Sequence, residues 1–270
     1  MYAFEEGQWN RYTSSQTTIP ASHIVPYGTI DNQLWLVGKQ AEVYKIDLSD
    51  KNWDSYYGLN LHDEQLNGHQ WYLDIDGNAI LRKDDEWTKF GPSDGLIDAP
   101  VKIYVTSRNQ VWACGSHSGK SAVAYFEKNK WHKKVFDSLS WGIDYRAVFE
   151  DKDGAVWFGG SVDRDASKGQ LGGLIQLVNP NDKHKKWIHH KYKENGLQQS
   201  NVYGIAQSKE GKIWIGGSYL YNYDGDTWRQ EENPHLRNFV NIVSTDPYEN
   251  LLVGSRFYGL YIFDGKNWTH

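Results

Sequence analysis

Apolar and polar positions along this chain alternate in short bursts, each ended by a polar, glycine-rich break. That two-residue period belongs to strands, and the breaks are too frequent for long helices. One burst recurs in nearly constant form: a glycine or polar residue, an apolar-Trp-apolar run, then a small residue. It reads NQLWLVG from Asn32, GHQWYLD from Gly68, NQVWACG from Asn109, GAVWFGG from Gly154 and GKIWIGG from Gly211. A sixth copy, ENLLVGS from Glu249, carries Leu252 at the Trp position. The anchors at 35, 71, 112, 157, 214 and 252 are separated by 36, 41, 45, 57 and 38 residues.

A second burst follows each first one: an alternating strand, a turn rich in Asp, Gly, Asn and Lys, then a Trp opening another strand. Its copies end at Trp53, Trp87, Trp131, Trp187, Trp228 and Trp268, and a seventh, MYAFEEGQW, stands alone at the start and ends at Trp9. A further strand-like segment precedes most first bursts, as in VKIYVTS at Val101, YRAVFED at Tyr145, VYGIAQS at Val202 and FVNIVST at Phe239. Each repeat therefore offers four short strands.

Four-stranded antiparallel units repeated about every 40 residues predict an all-β chain, a β-propeller, because one small sheet cannot bury both faces until neighbours stack on it. The expectation is a single propeller domain over residues 1–270: a half blade at 1–12 and six blades near 22–57, 58–91, 99–135, 144–193, 201–230 and 238–270. With a half blade appended to six, a ring of six or seven blades is expected. The stray half blade and the short final strand lead to the further expectation that the chain is a piece of a longer propeller region.

Composition sharpens this picture. Aromatic residues make up 15% of the chain, with 13 Trp and 18 Tyr beside 26 Gly, which suits aromatic strands joined by glycine turns. Twelve of the 13 Trp fall in the two bursts, which assigns them to the packing between blades. A net charge of −5 offers no general attraction to nucleic acid, which is not an expected partner. The lone Cys114, in VWACG, reads as a small buried hydrophobe. There is no apolar run of membrane-spanning length, and MYAFEEGQW has neither the basic nor the apolar region of an export signal. A membrane connection is expected only through a segment outside this chain.

The blade pattern D-x-x-G-x-[ILV]-W-[FIL]-G, a short gap, then GL-x-x-[FY]-[DN]-G-x-x-W, resembles the two-component regulator propeller repeat. The copies that carry it best are DKDGAVWFGG from Asp151, SKEGKIWIGG with YNYDGDTW, and YGLYIFDGKNW from Tyr258; a GL pair also precedes inner strands at Gly58, Gly95 and Gly196. The resemblance implies a bacterial, extracytoplasmic or periplasmic sensor domain, placed upstream of a membrane helix and a histidine kinase or diguanylate cyclase output. In that family the propellers commonly recognise glycans or serve as dimerisation platforms, so a homodimer is among the implied states. The repeat motif itself holds blades together, and no binding residue transfers with it.

Catalytic patterns fail on their spacing. GSHSG at Gly115 puts His117 where a nucleophile elbow needs Ser. DIDGN at Asp74 and DKDG at Asp151 open like calcium loops but lack the later ligands, and read as hairpin turns. His189 and His190 are adjacent, so on a strand they face opposite ways and cannot share a metal. No catalytic residue, metal or cofactor is expected, and a propeller lyase or glycosidase lacks a visible pair of converging carboxylates.

Trp141 is the one tryptophan outside both bursts, in DSLSWGIDYRAV just before an inner strand. Loops entering the inner strand share one face of a propeller with those joining its second and third strands. Trp141, Tyr145 and Arg146 are expected to project there, an aromatic platform beside a guanidinium suited to a sugar ring or an anionic group. The loop SVDRDASKGQLGG lengthens the Trp157 to Trp187 interval to 30 residues, against 14 to 19 in the other repeats, and brings Arg164 to the same face. His117, Asn201, Tyr203, His235, Arg237, Arg256 and Tyr258 hold corresponding loop positions on other blades. The expected function is non-enzymatic sensing of a carbohydrate, another small polar ligand or a partner protein; the alternative is a protein-interaction platform without a small ligand.

Overall fold

The computed structural model describes residues 61–270 apart from 85, 163–168, 183 and 238; of the first sixty residues it describes the strands. Every sheet is an antiparallel meander. A two-stranded hairpin, β1 (Tyr2–Glu5) and β2 (Gln8–Arg11), comes first, followed by six four-stranded sheets. The first blade is β3 (Ile24–Ile30) to β6 (Trp53–Tyr56), and the second is β7 (Asn60–Glu64) to β10 (Glu86–Phe90). The third runs from β11 (Ala99–Val105) through β12 (Val111–His117) and β13 (Lys120–Glu127) to β14 (Lys130–Phe136). The fourth comprises β15 (Gly142–Glu150), β16 (Val156–Ser161), β17 (Leu174–Leu177) and β18 (Trp187–His190). The fifth is β19 (Gly204–Gln207), β20 (Ile213–Gly216), β21 (Leu220–Tyr223) and β22 (Trp228–Gln230). The sixth is β23 (Val240–Thr245), β24 (Leu251–Ser255), β25 (Gly259–Phe263) and β26 (Trp268–Thr269). Six full blades and a half, the count expected from the repeats, make this a β-propeller.

Tryptophans fill the space between the described blades as expected. Trp71, Trp112, Trp157 and Trp214, from the second strands, are buried at 3% exposure or less. Each meets the blade that follows. Trp71 packs edge-on against Trp131 with centroids 5.4 Å apart, Trp112 against Trp187 at 6.0 Å, and Trp214 against Trp268 at 6.0 Å. Between the fourth and fifth blades His190 intervenes, 5.2 Å from Trp157 and 5.7 Å from Trp228. The four hydrophobic clusters from the second blade to the sixth are each shared between two consecutive sheets.

The GL pairs at Gly95 and Gly196 have a backbone role, while Gly58 lies outside the described residues. Gly196 has φ +87, a left-handed conformation, and a Cβ there would stand 2.2 Å from the carbonyl oxygen of Trp228. Asn195 accepts a 2.8 Å hydrogen bond from the Trp228 amide, and Leu197 is wholly buried. The segment entering the fifth blade thus fastens that blade's last strand. Gly95 meets Trp131 the same way in the third blade.

Cys114 is buried on β12, and burial pushes its thiol up to about 12, so it is packing material as the sequence implies. The Asp-Gly segments are turns. Asp74 accepts from the Asn78 amide at 2.7 Å, and Asp151 accepts from the Ala155 amide at 2.9 Å and from the Trp157 indole at 2.7 Å. Among the described residues no group of three His, Cys, Asp or Glu is arranged to hold a metal, and no helix is long and apolar enough to cross a membrane.

Candidate functional site

The fourth blade breaks the pattern of its neighbours where its inner strand begins. In the second, third and sixth blades the inner strand carries a bulge in which two residue steps oppose one on the next strand. In β15 the register passes from Ile143 opposite Gly160 to Val148 opposite Phe158, so five steps oppose two. The extra backbone carries Asp144, Tyr145, Arg146 and Ala147. Asp144 turns inward and is buried, Tyr145 turns outward at 58% exposure, and Arg146 lies between them in exposure.

Arg146 is held from three sides. Its Nε donates to Asp144 Oδ1 at 2.8 Å and its Nη2 to Asp144 Oδ2 at 2.7 Å, a bidentate pair. The guanidinium carbon lies 4.8 Å from the ring centre of Tyr203, on the fifth blade, and 5.4 Å from that of Tyr145. Hydrogen bonding to Asp144 holds Arg146 further above its already high pKa, so the guanidinium stays charged. Ser161 donates to Asp144 at 3.2 Å, while Asn201 donates to the Tyr203 hydroxyl at 2.9 Å and accepts from the Val162 amide at 3.0 Å. Trp141 is 48% exposed, one residue before the same strand.

One edge of the Arg146 guanidinium, Nε and Nη2, is already on Asp144, which leaves Nη1 and the second Nη2 hydrogen for a ligand. What faces outward is a neutralised ion pair, aromatic rings, an amide and a hydroxyl. Such a surface is matched to a neutral ligand with hydroxyls and an apolar face. Asp144 is the residue that sequence reasoning missed. No spacing signalled it, because Asp144 lies in the stretch where the register of β15 breaks.

The remaining candidates make contacts of their own. His117 Nδ1 is 3.3 Å from Asp98 and its Nε2 is 3.4 Å from Lys133, on the third blade. Arg237 is exposed and donates to the Glu232 carbonyl at 3.1 Å. Arg256 lies 5.7 Å from each of two exposed rings, Phe239 and Phe257, and the neighbouring Tyr258 packs edge-on against His235 at 4.9 Å. Arg164, with Asp163, lies outside the described residues. His189 contacts the Gly172 carbonyl at 2.8 Å, and His190 is turned into the blade interface, so the two neither share a site nor face one another.

Comparison with known proteins bears on the fold and the repeat. The chain is similar in shape to PorZ, a bacterial surface component of the type-IX secretion system of Porphyromonas gingivalis, at TM-score 0.59 and 14% identity, over 89% of this chain and 38% of that one. It is similar to the extracellular domain of a putative hybrid two component system from B. thetaiotaomicron, at TM-score 0.57 and 15% identity, over 87% of this chain and 32% of that one. Virginiamycin B lyase from Staphylococcus aureus matches at TM-score 0.55 and 12% identity, over 90% of this chain and 83% of that one. The chain therefore spans about a third of the first two proteins, and at these identities the likeness concerns the fold. No curated protein matches the chain in sequence. The family description "Two component regulator propeller" matches residues 196–219, which run from the GL pair through the Trp214 burst. The chain thus carries a two-component regulator propeller repeat in its fifth blade and resembles that family in the pattern of its other blades.

Proposed function

We propose that this propeller is a non-catalytic binding domain whose ligand is a neutral carbohydrate, received at the Arg146 cluster on the face where the inner strands begin. The observation that carries this reading is the Asp144–Arg146 pair held between Tyr145 and Tyr203 on a widened bulge. A sugar offers hydroxyls to Asn201, Tyr203 and the free guanidinium nitrogen, and its C–H face to exposed rings such as Trp141. The family resemblance and the likeness to an extracellular two-component domain support an extracytoplasmic sensor that passes ligand occupancy to an output elsewhere in its protein.

The test is a thermal-shift screen of neutral glycans, with uronic acids alongside, on the chain and on Trp141→Ala and Arg146→Met. A neutral glycan that raises the midpoint of the chain and not of the variants is the expected result, since a ligand bound only by the folded state stabilises it. Equal or better stabilisation by uronic acids in the chain and not in Arg146→Met would show that the guanidinium is available to anions and overturn the neutral reading.

A second reading, a protein-interaction platform, is favoured by a specific observation on the sixth blade. Phe257 is 63% exposed there and Ile242 58%, with Phe239, Tyr258, Leu260 and Ile262 also exposed. A homodimer in solution that Phe257→Ser disperses would support it.

A further inference from the structure

Each described blade has one face for the blade that follows it, and on the sixth that face is uncovered. On the fifth blade the face carries Ala206, Trp214 and Leu220, all at 3% exposure or less in the cluster shared with the sixth. Strand register gives the matching positions on the sixth blade. Ser244 lies opposite Leu252 as Ala206 does opposite Trp214, and Leu260 opposite Gly254 as Leu220 does opposite Gly216. Here Leu260 is 51% exposed, and Ile242 and Ile262 of the same face are exposed as well. A Cβ at Gly216 would meet Val240 and Val243 of the following blade, whereas the three atoms nearest to one at Gly254 all belong to Ile242 of its own blade. Four clusters close the equivalent faces of the second to fifth blades, so this apolar face is a stacking surface without its sheet.

What covers the earlier faces has a recognisable form. Tyr261, Phe263 and Trp268 of the sixth blade lie on the fifth, with Phe263 opposite Trp268 in register and the two rings 5.6 and 6.0 Å from Trp214. Tyr221, Tyr223 and Trp228 of the fifth do the same for the fourth, with Tyr223 opposite Trp228. Ala124, Phe126 and Trp131 of the third, with Phe126 opposite Trp131, do it for the second. The hairpin β1–β2 repeats this set at the same spacing, as Tyr2, Phe4 and Trp9, with Phe4 opposite Trp9. Its sheet consists of those two strands, and a lone two-stranded hairpin is marginal in water without a hydrophobic face to pack on.

We infer that the N-terminal hairpin seats on the outer face of the sixth blade, as the outer half of a further blade that joins the two ends of the series. The hairpin has the strand pair that covers a preceding blade, and among the second to sixth blades the sixth is the one with that face still open. Ile262 stands where the fifth blade has Asn222, which keeps the receiving surface apolar although Leu252 replaces the tryptophan. The inference goes beyond the binding reading and is independent of the Arg146 cluster. It gives the strand face of the sixth blade, as distinct from the loop residue Phe257, an occupant from the same chain.

The test is a cysteine cross-link in the whole chain. In the aligned hairpins Glu6 corresponds to Gly265, which lies against Lys209 and Glu210 in the turn between β19 and β20. The matching residue of the sixth blade's turn is Tyr248, which is 82% exposed. A short bismaleimide should therefore join Glu6→Cys to Tyr248→Cys within one chain, read by mass spectrometry of the digested monomer, and should not join Glu6→Cys to Lys209→Cys, whose turn is already taken. Cys114 is buried and stays out of the reaction. A second measurement asks whether the face is covered: Leu260→Ala should lower the urea midpoint by about 0.5 M in the chain and leave it unchanged in a Trp9→Ala background. Absence of the link overturns the inference, as do equal links to both turns or equal effects of Leu260→Ala in the two backgrounds. A link found only between two chains would also overturn it, and would assign the face to a second copy.

Discussion

Six residues before each buried second-strand tryptophan sits the residue that decides whether its indole N–H is satisfied. Asp151 accepts from Trp157 at 2.7 Å, and Gln65 accepts from Trp71 at 3.1 Å. Where the position is Thr106 or Ser208, the indoles of Trp112 and Trp214 have no partner, and the Ser208 hydroxyl is itself unpartnered. The turns at Asp151 and Ser208 are built alike. The Asp151 amide donates to Ala155 at 2.9 Å and the Ser208 amide to Lys212 at 3.0 Å, while Gly154 and Gly211 each donate back at 2.9 Å. An aspartate at 208 therefore has a turn ready to receive it and an indole to bind. Ser208→Asp is expected to stabilise the protein by about 1 kcal/mol, and Asp151→Ser to cost about 2 kcal/mol by orphaning the Trp157 indole and the turn amides. Urea unfolding midpoints check both, and a lower midpoint for Ser208→Asp would show that burying the new carboxylate outweighs its hydrogen bonds.

At the scale of blades, two glycines with the same backbone conformation separate two kinds of constraint. Gly211 has φ +83 and open space where a Cβ would stand, whereas Gly196 has φ +87 and the Trp228 carbonyl 2.2 Å from that point. Gly211→Ala should cost about 1–2 kcal/mol, the usual strain of a left-handed alanine. Gly196→Ala should cost several-fold more, because the fifth blade must release its last strand to make room; equal midpoints in urea would show that the blade yields without loss. The same contrast explains what could be read in advance. Blade-holding residues recur from repeat to repeat, so the Trp bursts and GL pairs were legible as architecture, and the half blade emerged with them. The Arg146 cluster was legible only in part. Trp141, Tyr145, Arg146 and Tyr203 stood out by type, but the bulge that turns Asp144 inward depends on strand register, which no spacing in a single copy reveals.

Across the whole molecule, the described blades cohere through aromatic contacts that are indifferent to pH, except at one junction. His190 sits between Trp157 and Trp228 with its Nδ1 receiving the Trp228 indole at 3.3 Å and its Nε2 facing Gln176 Oε1 at 3.1 Å. That arrangement needs a neutral ring with the proton on Nε2. Burial is the main cause that lowers its pKa from 6.5 to about 4, and His189 adds to it. Because the unfolded chain takes up a proton near 6.5 that the folded chain declines until about 4, stability at this junction is complete above the unfolded value and is lost as pH falls through that window. Going from about pH 7 to about pH 5 should remove roughly 2 kcal/mol through this one residue. Carboxylates also titrate toward the acid end, so the informative quantity is the difference between the chain and His190→Gln, which keeps a polar side chain without the titration. Urea unfolding at the two pH values should show the chain losing about 2 kcal/mol more than the variant. Parallel losses would mean that the fourth and fifth blades accept a charged imidazole between their tryptophans, by letting water or Gln176 shift toward it.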